Sequence, residues 1–196
     1  MESVLNSTFS RLRSGMSAIG LDGKQILVAQ SGSVAIRWPS DARIDLHTVV
    51  LFIEKAESAL RDRDAVQAIK YANTTYAISS REILPGVDRV WLDEDRRRLS
   101  QINERTMEVL IDAHFHLGAK RLTMTMSHEF HQKYPYSMSA IQKLLRAYIS
   151  FDDIPSALLA KTMYEQRLKR DLGITNFAEL DRWFSDATSA RTIPSS

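Results

Sequence analysis

Two pairs of histidines are the side chains best suited to metal chemistry in this sequence: His114 with His116, and His128 with His131. Residues two apart on a helix point to different sides, so the first pair cannot easily chelate one ion, whereas His128 and His131 share a face. The second run is HEFH, not the HExxH that arranges two ligands and a base around zinc. The pattern favours histidines on a surface or in a groove, and we predict no metal site.

A dense block of mixed charge, DEDRRR at residues 93–98, is the other candidate for chemistry. It could form an acid–base site, or its arginines could contact nucleic acid. On a helix, however, Asp93 with Arg96 and Glu94 with Arg98 would form ordinary surface pairs, and this is the interpretation we favour. No Ser/His/Asp arrangement, phosphate-binding glycine loop or placed pair of carboxylates accompanies the block. We therefore predict no catalytic residues, no cofactor and no enzyme.

The composition sets the broad class of the molecule. With 44% hydrophobic and 26% charged residues, the 196-residue chain is typical of a soluble globular protein. No run approaches the ~18–20 apolar residues of a transmembrane helix, and the N-terminus lacks the apolar core of a signal peptide. The absence of cysteine fits a reducing compartment, and a net charge of +2 requires any nucleic-acid contact to come from a local basic patch. We expect a cytoplasmic protein with no membrane partner.

The first forty residues contain such a patch. Residues 3–16 are predicted to form a helix because Phe9, Leu12 and Met16 recur at near-helical spacing. Residues 24–38 (KQILVAQSGSVAIRW) predict a β-hairpin that turns at Ser31-Gly32. The helix has a polar face that carries two arginines, while Pro39 to Asp45 indicates a linker to the rest of the chain.

Beyond this linker, the apolar spacing predicts about seven helices. They are expected at residues 46–61, 65–76, 88–117, 119–133, 137–150, 155–172 and 176–184. A shift of the sequence by 34 residues places Ile111 on Leu145 and Phe130 on Tyr164, and a period near 34 built of two helices is the tetratricopeptide signature. The predicted fold is mainly α: a tetratricopeptide-like helical repeat preceded by a helix and a β-hairpin.

The segment ILPGVDRVWLDEDRRRL at residues 83–99 resembles a family signature. The bacterial transcriptional activator domain (BTAD) of SARP-type regulators has "lLPG … W … eRxRL" before its long helix and "LreeLG" after its last hairpin. Leu84-Pro85-Gly86, Trp91, the charged block up to Leu99, and Leu168–Gly173 match these positions. Pro85, Gly86 and Trp91 are expected to form the structural junction, with Trp91 buried in the core.

In that family the domain follows a winged-helix DNA-binding domain, and Phe9–Arg13 and the hairpin are similar to its recognition helix and wing. The resemblance implies a partial winged helix over residues 1–40, a BTAD over 44–184 and a flexible tail over 185–196. The DNA-binding residues would be Asn6, Ser7, Ser10, Arg11, Arg13, Ser14 and Lys24.

The function that follows from this resemblance is a DNA-binding transcriptional regulator, or a fragment of one. Its partners would be DNA and, through the helical repeats, the transcription machinery, another protein or a second copy of the chain. The alternative is a protein-interaction or dimerisation scaffold without autonomous DNA binding. In that case the first helix would pack on the repeats or on a partner protomer.

Overall fold

The computed structural model describes residues 2–30, 33–39 and 45–190. The chain divides into two compact units, residues 1–44 and residues 45–196. The predicted turn at Ser31-Gly32, residues 40–44 of the predicted linker and residues 191–196 of the predicted tail lie outside the described residues. In the described part, no helix is both long enough and apolar enough to span a membrane.

The N-terminal unit is a helix followed by a short hairpin. Helix α1 spans Glu2–Ala18, α2 is a single turn at Gly23–Ile26, and strand β1 (Leu27–Gln30) pairs antiparallel with β2 (Ser33–Ile36). The sequence predicts a strand from Lys24, but the Asp22 carboxylate accepts hydrogen bonds from the amides of Lys24 (3.0 Å) and Gln25 (3.1 Å). This cap starts a helical turn, so the hairpin begins only at Leu27.

The second unit consists of helices joined by short connections. These are α3 (Asp45–Arg61), α4 (Ala65–Ser79), a 3-10 turn (Val90–Leu92), α5 (Asp93–His116), α6 (Lys120–Lys133), α7 (Met138–Ser150), α8 (Ile154–Leu172) and α9 (Ala178–Ser189). The prediction of a mainly α fold is confirmed. Local signals account for several bounds: the Asp153 carboxylate accepts from the amide of Ser156 (3.1 Å) at the start of α8, and Gly118, at φ +67°, follows α5.

Helix α9 is longer than predicted. It continues to Ser189, whereas the apolar spacing predicts an end at Phe184 and a frayed tail from residue 185. The Thr188 hydroxyl donates to the Phe184 carbonyl (2.9 Å), and Phe184 and Ala187 pack against the core of the last helices. These contacts keep residues 185–189 helical, although their side chains are mostly polar.

The helices stack in order along the second unit. From α3 to α8 each helix packs against the next in sequence, and α3, α5, α7 and α9 also form a row in which neighbours touch. One core lies between α3, α4 and α5, with Ile53, Ala68 and Leu110 fully buried, and another lies between α7, α8 and α9. A smaller cluster that includes Met107 and Phe130 lies between the two cores.

The 34-residue repeat has a counterpart in burial. Ile111 and its shifted equivalent Leu145 are both buried, as are Phe130 and its equivalent Tyr164. Equivalent positions therefore fill equivalent sites in successive helical pairs, which is how a solenoid extends one core through repeated units.

Candidate nucleic-acid interface

A groove on the N-terminal unit brings together many of the predicted DNA-binding residues. It has a volume of about 610 Å³ and lies between α1 and the segment from Lys24 to Ala29. Five of the predicted residues line it: Asn6, Ser10, Arg13, Ser14 and Lys24. Phe9 and Ser17 complete the α1 side. Ser7 and Arg11 do not line this groove.

Arg13 connects α1 to the hairpin. Its Nη2 donates a hydrogen bond to the carbonyl of Leu27 (2.7 Å), and its side chain is only partly exposed. The backbones also approach closely here, because a Cβ added to Gly23 would lie 2.7 Å from the Cα and the carbonyl oxygen of Arg13. Of the two arginines predicted to contact DNA, Arg13 thus holds α1 against the hairpin.

Arg11 lies elsewhere on the same helix. Ser7, Arg11 and Ser14 follow one another at i, i+4 and i+7 and so share a stripe along α1. All three are exposed, and the Arg11 guanidinium makes no hydrogen bond or ion pair with any residue in the described ranges. This stripe can present a cation and short hydroxyl side chains to a ligand.

The junction segment is held by Arg96, a role the sequence analysis did not assign. Its Nη2 donates to the carbonyls of Val87 (2.7 Å) and Ile83 (3.3 Å), so that α5 binds the backbone of the loop before it. That loop turns through left-handed backbone at Leu84 (φ +47°) and Gly86 (φ +77°). The turn and the bonds to Arg96 keep residues 88–92 out of the long helix. Helix α5 therefore begins at Asp93 and not at the predicted Asp88.

The prediction that Trp91 is buried is wrong. Its side chain is 65% exposed and Val90 is 87% exposed, whereas Leu92 is only 1% exposed. These three residues form a 3-10 turn, in which successive side chains point about 120° apart, so one of the three can face the core. Leu92 takes that position, and an apolar surface is left outside at Val90 and Trp91.

The predicted pairs in the charged block also differ from the structure. In the described part of the chain, no ion pair joins Asp93 to Arg96 or Glu94 to Arg98. Arg96 binds the loop carbonyls instead, and Arg97 donates from Nε to the backbone carbonyl of Asp93 (3.2 Å). The nearest acid to Arg96 is Glu82, at 3.9 Å and exposed.

The histidines of α6 lie on a groove and take part in aromatic contacts. A hydrogen bond of 2.8 Å joins His128 Nε2 to the Tyr148 hydroxyl, and the His131 ring lies 5.9 Å from the ring of Tyr164. Burial lowers the pKa of His131, and the charges of Arg167 and His128 lower it further. Within the described ranges no cluster of three or more His, Cys, Asp or Glu could hold a metal ion.

The observed architecture defines the class of protein: a helical-repeat domain that follows a small helix–hairpin unit. The family profile of the bacterial transcriptional activator domain matches residues 44–185, which is more than half of the chain. The chain belongs to this family.

A solved structure has a similar fold. It is that of Mycobacterium tuberculosis EmbR in complex with a low-affinity phosphopeptide, with a TM-score of 0.83 and 19% sequence identity. The match covers 100% of this chain and 51% of the EmbR chain, so this chain spans about half the length of that protein. No curated protein matches the sequence.

Proposed function

We propose that this chain is a DNA-binding transcriptional regulator, or a fragment of one. Residues 1–40 form a partial winged helix, residues 44–184 form the activator domain, and a short tail follows. Membership of the bacterial transcriptional activator domain family supports the regulatory role. The proposal implies a cytoplasmic location, where bacterial DNA lies.

The observation that carries DNA binding is that the two sides of α1 have different surroundings. One side of the helix is tied to the hairpin through Arg13 and Leu27, and a separate stripe with Ser7 and Arg11 is exposed. A recognition helix needs this arrangement, because it must be fixed on its domain while it offers side chains to bases and phosphates. Arg11 is the proposed DNA contact, and Arg13 is the proposed positioning residue.

Fluorescence anisotropy of the full chain with a labelled duplex pool of random sequence tests this assignment. Binding through phosphates should weaken steeply between about 50 and about 200 mM salt. Arg11→Ala should weaken binding at all sequences and reduce the slope of log affinity against log salt by about 1. Its circular dichroism spectrum should match that of the wild type.

Arg121→Ala is the matched control, since Arg121 is an exposed arginine on α6 in the other unit. It should leave binding unchanged. Arg13→Ala should lower affinity together with faster proteolysis of the hairpin, which separates positioning from contact. Salt-insensitive binding, or equal affinity of the wild type and Arg11→Ala, would exclude the proposed contact.

The exposed Val90 and Trp91 favour a second function, protein interaction or self-association through the helical domain. Apolar residues exposed side by side are a common feature of contact surfaces. Light scattering of the full chain gives the test: Trp91→Glu should reduce an oligomeric mass to that of a monomer.

Trp38→Glu, at a similarly exposed tryptophan in the N-terminal unit, is the control. Dissociation by Trp38→Glu alone would instead place the N-terminal unit in the interface.

A further inference from the structure

A second groove, on the helical unit, is formed by α6, α7 and α8. It has a volume of about 250 Å³. Its lining runs along α8 from Ser156 to Arg167, and these residues are roughly 16 Å apart because a helix rises about 1.5 Å per residue. The groove is therefore narrow and elongated, which suits a slender ligand.

The middle of the groove is apolar. Leu144 of α7 and Leu159, Ala160 and Met163 of α8 line it. Leu159 is 62% exposed and Met163 is 55% exposed, so the described residues leave much of this surface uncovered. Contact with an apolar body would bury this surface, which is favourable because apolar area is removed from water.

Arg167 provides charge at one end of the groove. It is half-buried and has no hydrogen-bond or ion-pair partner among the described residues. The acid one turn further along α8, Asp171, is already occupied, because it accepts hydrogen bonds from Arg170 (2.7 Å) and from Tyr136 (3.3 Å). No aspartate or glutamate lines the groove.

The other polar groups of the lining are neutral or already bonded. His128 and the Tyr148 hydroxyl are hydrogen-bonded to each other. The lowered pKa of His131 keeps its imidazole neutral near pH 7, so Arg167 is the cation at its end of the groove. The lining thus combines an apolar centre with one guanidinium and no carboxylate; the charge of Asp171, outside the lining, acts on Arg167 without forming an ion pair within the described residues.

We propose that this groove binds a small carboxylic acid with a slender apolar body, whose carboxylate accepts hydrogen bonds from Arg167. Arginine suits this partner because its planar fork matches a carboxylate in a bidentate geometry. Ligand pockets are commonly apolar with a few placed polar groups, and the volume here lies just below the range for drug-sized ligands. This proposal does not rest on DNA binding by α1.

Isothermal titration calorimetry of the full chain with octanoate and with octanol tests the proposal. Octanoate should bind saturably at one site and more tightly than octanol. Arg167→Gln should weaken octanoate about 10-fold or more, as expected when a charge-assisted hydrogen bond is lost, and leave octanol unchanged. Lys169→Gln, an exposed cation on the same helix outside the groove, should change neither.

Two further measurements test whether the ligand binds in the groove: a variant whose larger side chain fills the groove, and a resonance of a residue that lines it. Ala160→Phe should abolish binding of both compounds, and the Met163 methyl resonance of the wild type should shift on addition of octanoate. Equal affinity for octanoate and octanol, no saturable binding, or binding unaffected by Arg167→Gln would each overturn the proposal. Since Arg167→Gln changes only a partly exposed group, it remains informative if Ala160→Phe fails to fold. Binding of a short acidic peptide in place of octanoate would also overturn it.

Discussion

Arg13 joins two elements of the N-terminal unit through a single guanidinium. Arg13 can reach the Leu27 carbonyl because the backbone at Gly23 lies close to α1. Only a glycine fits there, since the Cβ of any other residue would overlap the Arg13 backbone. The arginine and the glycine therefore act together, and each can be tested through the stability of this unit.

Gly23→Ala should destabilise the N-terminal unit by about 1–3 kcal/mol, since the new Cβ would overlap the Arg13 backbone. The rate of limited proteolysis within residues 1–39 should rise. Gly15→Ala is the matched control: its Cβ would meet nothing within 4 Å, and alanine stabilises a helix interior by about 1 kcal/mol over glycine. If both variants resist protease equally well, the close approach at Gly23 does not constrain the unit.

Leu92 and Trp91 permit a direct comparison of neighbouring apolar side chains. Leu92→Ala should lower the free energy of unfolding by about 2–5 kcal/mol because the leucine is buried. Trp91→Ala should cost about 0.5 kcal/mol or less, because the ring is mostly in solvent. Urea unfolding measures both values, and a larger loss for Trp91→Ala would contradict the burial described here.

His131 should make stability depend on pH. Its folded pKa lies below the unfolded value, first because of burial and then because of Arg167 and His128. As pH falls, the unfolded chain takes up a proton before the folded chain does, so the free energy of unfolding decreases below about pH 6.5 and levels off below the folded pKa.

Burial lowers the pKa of His114 in the same direction, so both histidines contribute to this dependence. Urea unfolding at about pH 7.5 and about pH 5.5 is the measurement. His131→Gln should reduce the loss of stability between these two pH values, and the double variant with His114→Gln should reduce it further. An unchanged difference in the double variant would show that other groups control it.

At the level of elements, the junction loop depends on Arg96 of α5. The Val87 and Ile83 carbonyls have a cationic donor in place of water, and the loop is thereby fixed to the long helix. This explains why an arginine block follows the LPG turn: one member serves the turn, and its neighbours remain on the outside.

Arg96→Gln should destabilise the helical unit by about 1–3 kcal/mol through the lost charge-assisted bond. Amide hydrogen exchange in residues 83–88 should accelerate more than exchange in α5. Arg98→Gln removes an exposed arginine of the same block and should have little effect. If amides 83–88 exchange at the same rate in Arg96→Gln and Arg98→Gln, Arg96 does not hold the junction loop.

At the scale of the whole molecule, the helical unit is a chain of interfaces between neighbouring pairs. Asp112 of α5 binds both Lys143 Nζ (2.6 Å) and Arg146 Nη1 (3.1 Å) of α7 and so couples two successive pairs. In a repeat protein, stability is close to the sum of the units and the interfaces between them, so one weakened interface can divide the unfolding transition.

Asp112→Asn should weaken the α5–α7 interface and make α7–α9 unfold at lower denaturant than α3–α6. Fluorescence of Trp183, on α9, would report the earlier transition, while circular dichroism would report both. Arg105→Gln is the control, because the Arg105–Glu57 pair (2.8 Å) joins α5 to α3 instead. A single coincident transition in Asp112→Asn would argue against this coupling.

Helix positions could be predicted from the sequence because they depend on local information. Apolar residues recur with a helical period, and Gly118, Asp153 and Pro155 mark boundaries through backbone effects that act within a few residues. The repeat could be predicted for the same reason, since Ile111 and Leu145 occupy the same place in a local pattern. The start of α5 could not, because it depends on carbonyls bound by Arg96 across the junction loop.

By itself, the sequence determined the class of fold, the order of the helices and the family, because periodicity and a short spaced motif suffice for these. Only the tertiary structure decided which side chains are free to act. Leu92 and Trp91 are both apolar and adjacent, and the fold buries Leu92 while it leaves Trp91 mostly exposed. Arg11 and Arg13 are alike in sequence, but an acceptor 14 residues away engages Arg13 alone. The groove at Arg167 needs three helices, so no local pattern could have predicted it.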